Sequence, residues 1–228
     1  MFVRQIARDG MLVAVMLAPL LLGSAFRFGI PALAAFLERR FPGAIILAPY
    51  YQLFDLFLCA ATPYFYCFVS ALVMLAENDE NMVQHLAVTP VGKSGYIFSR
   101  LVFPAAFSFV ISVIIVAVFA LTSWSLLQNV ACSFLASLFA VSLALMLFSL
   151  SGNRVEGMAL GKLAGVFMLG LPVPFFIQTN AQYLFGLLPS FWIAKLFAQN
   201  NLLFFLPGMA TAVLWFLVFF RRFLRKLD

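Results

Sequence analysis

Long runs of apolar residues alternate with short polar breaks along this chain. A helix needs about 20 predominantly apolar residues to cross the hydrocarbon core of a bilayer. Six runs meet that length, over about residues 11–30, 52–76, 97–122, 128–150, 158–179 and 202–220. They are continuous rather than alternating with period two, so they predict helices and not the short strands of a membrane barrel. Helices also satisfy their own backbone hydrogen bonds, which a lipid interior requires. The predicted fold is all-α: an integral membrane bundle of six spans, forming one transmembrane domain over residues 1–228. The first run follows Arg4 and Arg8, as in a signal peptide, but it is too long for a signal's apolar core and lacks a small-residue cleavage pattern. It therefore counts as a span, kinked at Pro19.

Two breaks carry the organisation. Residues 77–96, between the second and third spans, form the longest polar interruption. Glu77, Asp79 and Glu80 crowd the place where a helix would begin, where negative charge is favourable. Met82, Val83 and Leu86 follow at helical spacing and Pro90 ends the pattern, which predicts an amphipathic helix of about two turns. Such a helix is too short to span and too apolar on one face to stand alone, so it calls for a partner. Residues 182–200 are apolar but broken by Pro189 and charged at Lys195, and they read as a re-entrant or interfacial pair of short helices. A seventh crossing there would export the basic tail. With six spans, ten of the 14 Lys and Arg residues gather on the side of the termini and polar loops, against Arg27, Arg39, Arg40 and Lys195 opposite. By the positive-inside rule both termini are expected in the cytoplasm.

Composition agrees with this pattern. The chain is 65% hydrophobic and 10% charged, and its 29 Phe could not fill a water-soluble core of 228 residues. The net charge of +6 sits at span ends, where topology explains it without nucleic acid. Cys59, Cys67 and Cys132 lie in apolar runs without metal-ligand spacing and read as packing residues. Arg27 and Asp55 fall at similar depth near the outer ends of the first two spans, so Arg27 either anchors at the headgroups or forms an intramembrane ion pair with Asp55. Gly157, Gly161 and Gly165 recur every four residues and let another helix approach closely, in packing or at a subunit interface.

Chemistry is sparse. Gly92-Lys93-Ser94 resembles the end of a phosphate-binding loop, but Ala87 stands where that motif needs glycine. His85 is the sole histidine, and no carboxylate pair lies within a span. A non-catalytic chain binding no metal or cofactor is the expectation. A polytopic membrane enzyme or scaffold acting at the cytoplasmic surface stays open as the alternative.

An acidic cluster with Glu77 and Glu80, a helix reaching Leu86, the step Thr89-Pro90-Val91, then Gly92-x-x-x-Tyr96 and a basic residue at the next span form a recognisable series. In it the sequence resembles the permease subunits of type-2 ABC exporters, and more closely the small permeases of the fluoroquinolone or multidrug export type. The resemblance also covers the broken hairpin around Leu188-Pro189-Ser190. It implies a bacterial-type inner-membrane location and a cytoplasmic coupling helix docked on a separate ABC ATPase subunit. Glu77, Asp79, Glu80, Met82, Leu86, Thr89 and Pro90 would be the coupling residues. ATP and Mg²⁺ would be held by that ATPase, not by this chain. A second permease, the same chain or a different one, would meet it along the first and fifth spans, with lipid around both.

Overall fold

Polar residues at the ends of the apolar runs set the helix boundaries. The computed structural model describes residues 6–41, 47–80 and 92–227, and among these it contains helices and no strand. Six helices are long and apolar enough to cross a membrane: α1 (Gly10–Arg40), α2 (Ala48–Asp79), α3 (Gly95–Phe119), α4 (Leu126–Leu150), α5 (Arg154–Phe176) and α7 (Leu202–Lys226). Between the last two lies α6 (Pro189–Ala198), too short to span at about 15 Å. Asp9 caps α1 by accepting from the Met11 and Leu12 N–H groups. Ser125 and Gln128 close a reciprocal capping box on α4. Asn153 accepts from the Glu156 N–H and starts α5.

α2 and α4 are buried along most of their length and form the central pair. α3 packs across both, α7 and α6 lean on α4, and α1 lies outside α2. α1 and α7 present most of their side chains outward. α6 is packed into the interior, where Phe191, Ile193, Ala194 and Leu196 are fully buried. Pro189 stands at its first position, which needs no N–H. Lys195 is also buried, and its ammonium lies 3.8 Å from the Tyr183 ring centre and 5.4 Å from those of Phe191 and Phe204. Aromatic faces accommodate that charge.

Prolines inside the spans explain several contacts. A proline lacks the N–H that would bond the carbonyl four residues earlier. Pro63 in α2 frees the Cys59 carbonyl, and the Ser112 hydroxyl of α3 donates to it at 3.0 Å. Pro104 in α3 frees the Arg100 carbonyl, and the Ser70 hydroxyl of α2 donates to that one. The helix widens into a π-turn at Phe98–Val102, just before Pro104, and again at Ala25–Gly29, just before Pro31. α2 and α3 are thus cross-braced at two levels, each helix supplying the hydroxyl the other lacks.

Several boundaries differ from the sequence expectation by a few residues, and two of the differences have a visible cause. α1 continues to Arg40 instead of ending near residue 30, because the π-turn absorbs Pro31 without breaking the helix. α3 stops at Phe119 rather than residue 122, where Ala120 leaves helical geometry and the next N–H groups turn toward Asp55.

α5 crosses α2 closely. A side chain at Gly157 would strike Leu75, and one at Gly161 would strike Phe68, while Gly165 faces open space. The Tyr64 hydroxyl of α2 donates to the Gly161 carbonyl at 2.6 Å. The tighter glycine lies further on. A Cβ on Gly170 would meet the Phe191 backbone nitrogen at 2.6 Å, and backbone cannot swing aside. Gly170→Ala is therefore expected to destabilise the α5–α6 junction by about 1–3 kcal/mol, read as a lower thermal midpoint in detergent, whereas Gly165→Ala leaves it unchanged.

Candidate functional site

The polar loop over residues 77–96 leaves α2 and enters α3. Met82, Leu86, Thr89 and Pro90, with the amphipathic helix expected around them, lie outside the described residues. Both roots of the loop are described. α2 runs on through Asp79, and the face that buries Ser70 and Val73 returns at Glu77. Glu77 is consequently turned inward and 1% exposed. The Arg100 guanidinium meets it, donating from Nε to the two carboxylate oxygens at 3.2 and 3.0 Å and from Nη2 to Oε1 at 2.5 Å. The same guanidinium lies 5.8 Å from the centre of the Tyr96 ring.

This placement corrects the expectation that Glu77 faces a partner together with Asp79 and Glu80. A carboxylate on a packed helix face needs a counter-charge with good geometry, and Arg100 provides it. Asp79 and Glu80 are exposed. Asp79 accepts from the Arg154 N–H at 3.1 Å, which ties the end of α2 to the start of α5. Arg154 also donates from Nη2 to Asp9 at 2.5 Å. That hydrogen bond, helped by the Leu12 and Met11 N–H groups, holds the Asp9 carboxyl below the usual carboxylate range. Lys226 donates to the Phe148 and Ser151 carbonyls at 2.7 and 2.5 Å, closing the C-terminal end of α4 from the tail of α7. The start of α1, the end of α2, the α4–α5 turn and the end of α7 therefore converge on one face of the bundle, beside the loop roots.

Asp55 lies roughly 33 Å from Glu77 along α2, at 1.5 Å per residue. It is buried and accepts four hydrogen bonds from the turn between α3 and α4: Leu121 N at 2.8 Å, Thr122 N at 2.9 Å, Thr122 Oγ1 at 2.6 Å and Trp124 Nε1 at 3.3 Å. Arg27 donates from Nη1 to the Ala120 carbonyl of the same turn at 2.7 Å. The sequence-based ion pair between Arg27 and Asp55 is thus replaced by two separate holds on one turn. Each charge has found backbone groups of opposite polarity. The guanidinium sits at the carbonyl end of α3, and the carboxylate collects N–H groups near the start of α2.

The glycine ladder serves helix packing within the chain at two of its three positions. Gly157 and Gly161 are filled from within the chain by Leu75 and Phe68 of α2. Among the described residues no group of three His, Cys, Asp or Glu side chains could hold a metal, and the three cysteines are buried and free. At the loop roots the Glu77–Arg100 pair and the Ser70 hydroxyl join α2 to α3, and the Ser112 hydroxyl joins them again at Cys59, roughly 27 Å from Glu77 along α2. Sequence reasoning missed Arg100 as the partner of Glu77 and missed the braces. The signal was present as Pro63 and Pro104 inside spans, each requiring a donor for the carbonyl it frees.

A family model described as fluoroquinolones export permease protein Rv2686c-like matches residues 2–220. Two curated relatives from Mycobacterium tuberculosis, fluoroquinolones export permease protein MT2760 of strain CDC 1551 and fluoroquinolones export permease protein Rv2686c of strain H37Rv, are each 29% identical over 237 residues. Those alignments cover 98% of this chain and 91% of each relative. No solved structure matches. Six apolar helices and a family match over nearly the full length make this a multi-pass membrane permease of an exporter. The chain belongs to the Rv2686c-like family of fluoroquinolones export permease proteins.

Proposed function

We propose that this chain is the membrane-spanning subunit of an ATP-driven exporter and draws its motion from a separate ATPase subunit. The supporting observation is the loop root: residues 77–96 are anchored by the buried Glu77–Arg100 pair to two helices already braced to each other. A push on that loop would move α2 and α3 together. Asp79 and Glu80, exposed at the root, would meet basic groups on the ATPase, while Met82 and Leu86 supply apolar contact and Thr89-Pro90 ends the docking helix. ATP and Mg²⁺ would be bound by the ATPase. The outward residues Leu17 and Leu21 of α1 and Leu163 and Val166 of α5 leave those helices free for a second permease, of the same or a different chain, or for lipid. Both termini and the loop would be cytoplasmic in a bacterial inner membrane. The cargo would be of the fluoroquinolone kind for which the relatives are named.

Two measurements test this reading. Tagged chain should co-purify with an ATPase, and fluoroquinolone efflux from cells should require both. Leu86→Asp puts a charge into the apolar contact of the docking helix. It is expected to reduce ATP-dependent efflux at least tenfold, the loss of roughly 1.4 kcal/mol or more at one central apolar contact, while membrane yield stays normal. Unchanged efflux in that variant would remove the docking role.

A further inference from the structure

A cavity of about 190 Å³ is bounded by Ile6 and Met16 of the N-terminal region and α1, Tyr66 and Val69 of α2, and Phe103, Pro104 and Phe107 of α3. Its walls are almost wholly apolar. Three of them are aromatic. Phe103 and Phe107 are stacked with rings 14° from parallel and centres 6.3 Å apart, and the Tyr66 ring meets Phe107 edge-on at 5.5 Å. The cavity is therefore walled in part by three mutually packed aromatic rings, and aromatic pairs attract beyond simple burial.

Its position relates it to the loop. Val69 precedes Ser70, whose hydroxyl bonds the Arg100 carbonyl, and Pro104, which frees that carbonyl, is itself a wall. The π-turn at Phe98–Val102 carries Arg100 and ends against Phe103. One continuous piece of α3 thus holds the clamp to Glu77 at one end and the aromatic wall at the other, so a guest pressing on the wall bears on the helix that the loop moves. Size limits what fits. A dry apolar cavity of about 150 Å³ accepts one benzene ring, so this one takes the ring system of a cargo molecule and not a whole drug-sized ligand. Phe103 and Phe107 are half exposed, which leaves the cavity open toward the bilayer for the remainder.

We infer that this α1–α2–α3 cavity is a cargo subsite that holds a planar aromatic ring system entering from the membrane. The inference rests on the export reading above and adds a location and a recognition element to it. The test titrates the full-length chain in lipid nanodiscs with a fluoroquinolone, following the ring system's own fluorescence. Phe107→Leu keeps the wall apolar but removes its ring face, and it should weaken binding by about fivefold to tenfold. Val69→Trp fills the cavity and should abolish binding. Phe36→Leu, an exposed aromatic on α1 away from the cavity, should match the parent. Because Val69 is buried and its variant could misfold, the half-exposed Phe107 position carries the test alone if necessary, with circular dichroism confirming helix content. Parental affinity in Phe107→Leu, or displacement of the drug by a saturated fatty acid as readily as by a second planar aromatic, overturns the subsite and marks an acyl-chain groove. Efflux by the intact complex is read separately. Efflux that persists in the cavity variants rejects the subsite alone, and binding without any efflux in the parent rejects the export reading alone.

Discussion

Arg100→Glu is expected to abolish export and most of the folded protein, and adding Glu77→Arg to the same chain is expected to restore much of both. The single change sets two carboxylates against each other at a site where Glu77 is 1% exposed and its partner 7%. Breaking a buried pair costs about 3–5 kcal/mol even before like-charge repulsion. For a chain of this size that corresponds to a fall of roughly 10 °C or more in thermal midpoint. The swapped pair regains opposite charge, although its fork geometry is reversed, and should recover at least half of the lost midpoint. A second double variant separates stability from coupling. Replacing a buried ion pair by apolar residues is often neutral for folding, so Glu77→Leu with Arg100→Leu should keep the parental midpoint. Ser70 still braces the Arg100 carbonyl there, since that atom belongs to the backbone. If the clamp transmits loop motion, this variant exports poorly despite folding well. Parental export from it would sink the coupling role and leave the pair a packing device.

Apolar run lengths make the helix count readable from the sequence, because a bilayer imposes one length on every span. The same pattern could not show which faces pair. A span that is apolar all round carries little directional information, so the central position of α2 and α4 emerges only from packing. Charges were legible as unusual but not by partner. Glu77 reads as surface when the span is assumed to end at residue 76, and three more residues of helix turn it inward. Arg27 and Asp55 share a depth, which suggested a pair, yet the backbone of an intervening turn outcompetes a side-chain partner because it presents several donors at fixed positions. The glycine period drew attention to residues 157, 161 and 165, whereas Gly170, which lies against the backbone of the first turn of α6, falls outside the period. Prolines gave the best unused clue. Each freed carbonyl in lipid demands a donor from another helix, and the serines that answer it lie at positions spacing alone would not select.

Asp55→Ala is the largest stability loss expected at the opposite face. The carboxylate is the common acceptor for two backbone N–H groups, one hydroxyl and one indole N–H. Hydrogen bonds to a charged group contribute about 1.5–3 kcal/mol each, and some of these donors can turn to water at the membrane boundary, which leaves a net loss of roughly 3–5 kcal/mol. Trp124 also stacks on Phe197 with ring centres 4.0 Å apart, so a loosened turn disturbs the end of α6 as well. Asp55→Asn should fall between alanine and the parent. Its amide oxygen can still accept from Leu121, but its NH₂ faces the Thr122 N–H and the Trp124 indole, both donors, and only the Thr122 hydroxyl can reverse to accept. Arg27→Gln removes one exposed bond to a carbonyl and should cost about 1 kcal/mol or less. This inequality discriminates between the two arrangements. A direct Arg27–Asp55 ion pair would make the Arg27→Gln and Asp55→Asn losses similar, because each would strip the other charge of its partner. A carboxylate held by the turn makes the Asp55 loss several times the larger, and thermal midpoints of the three single variants in detergent decide it.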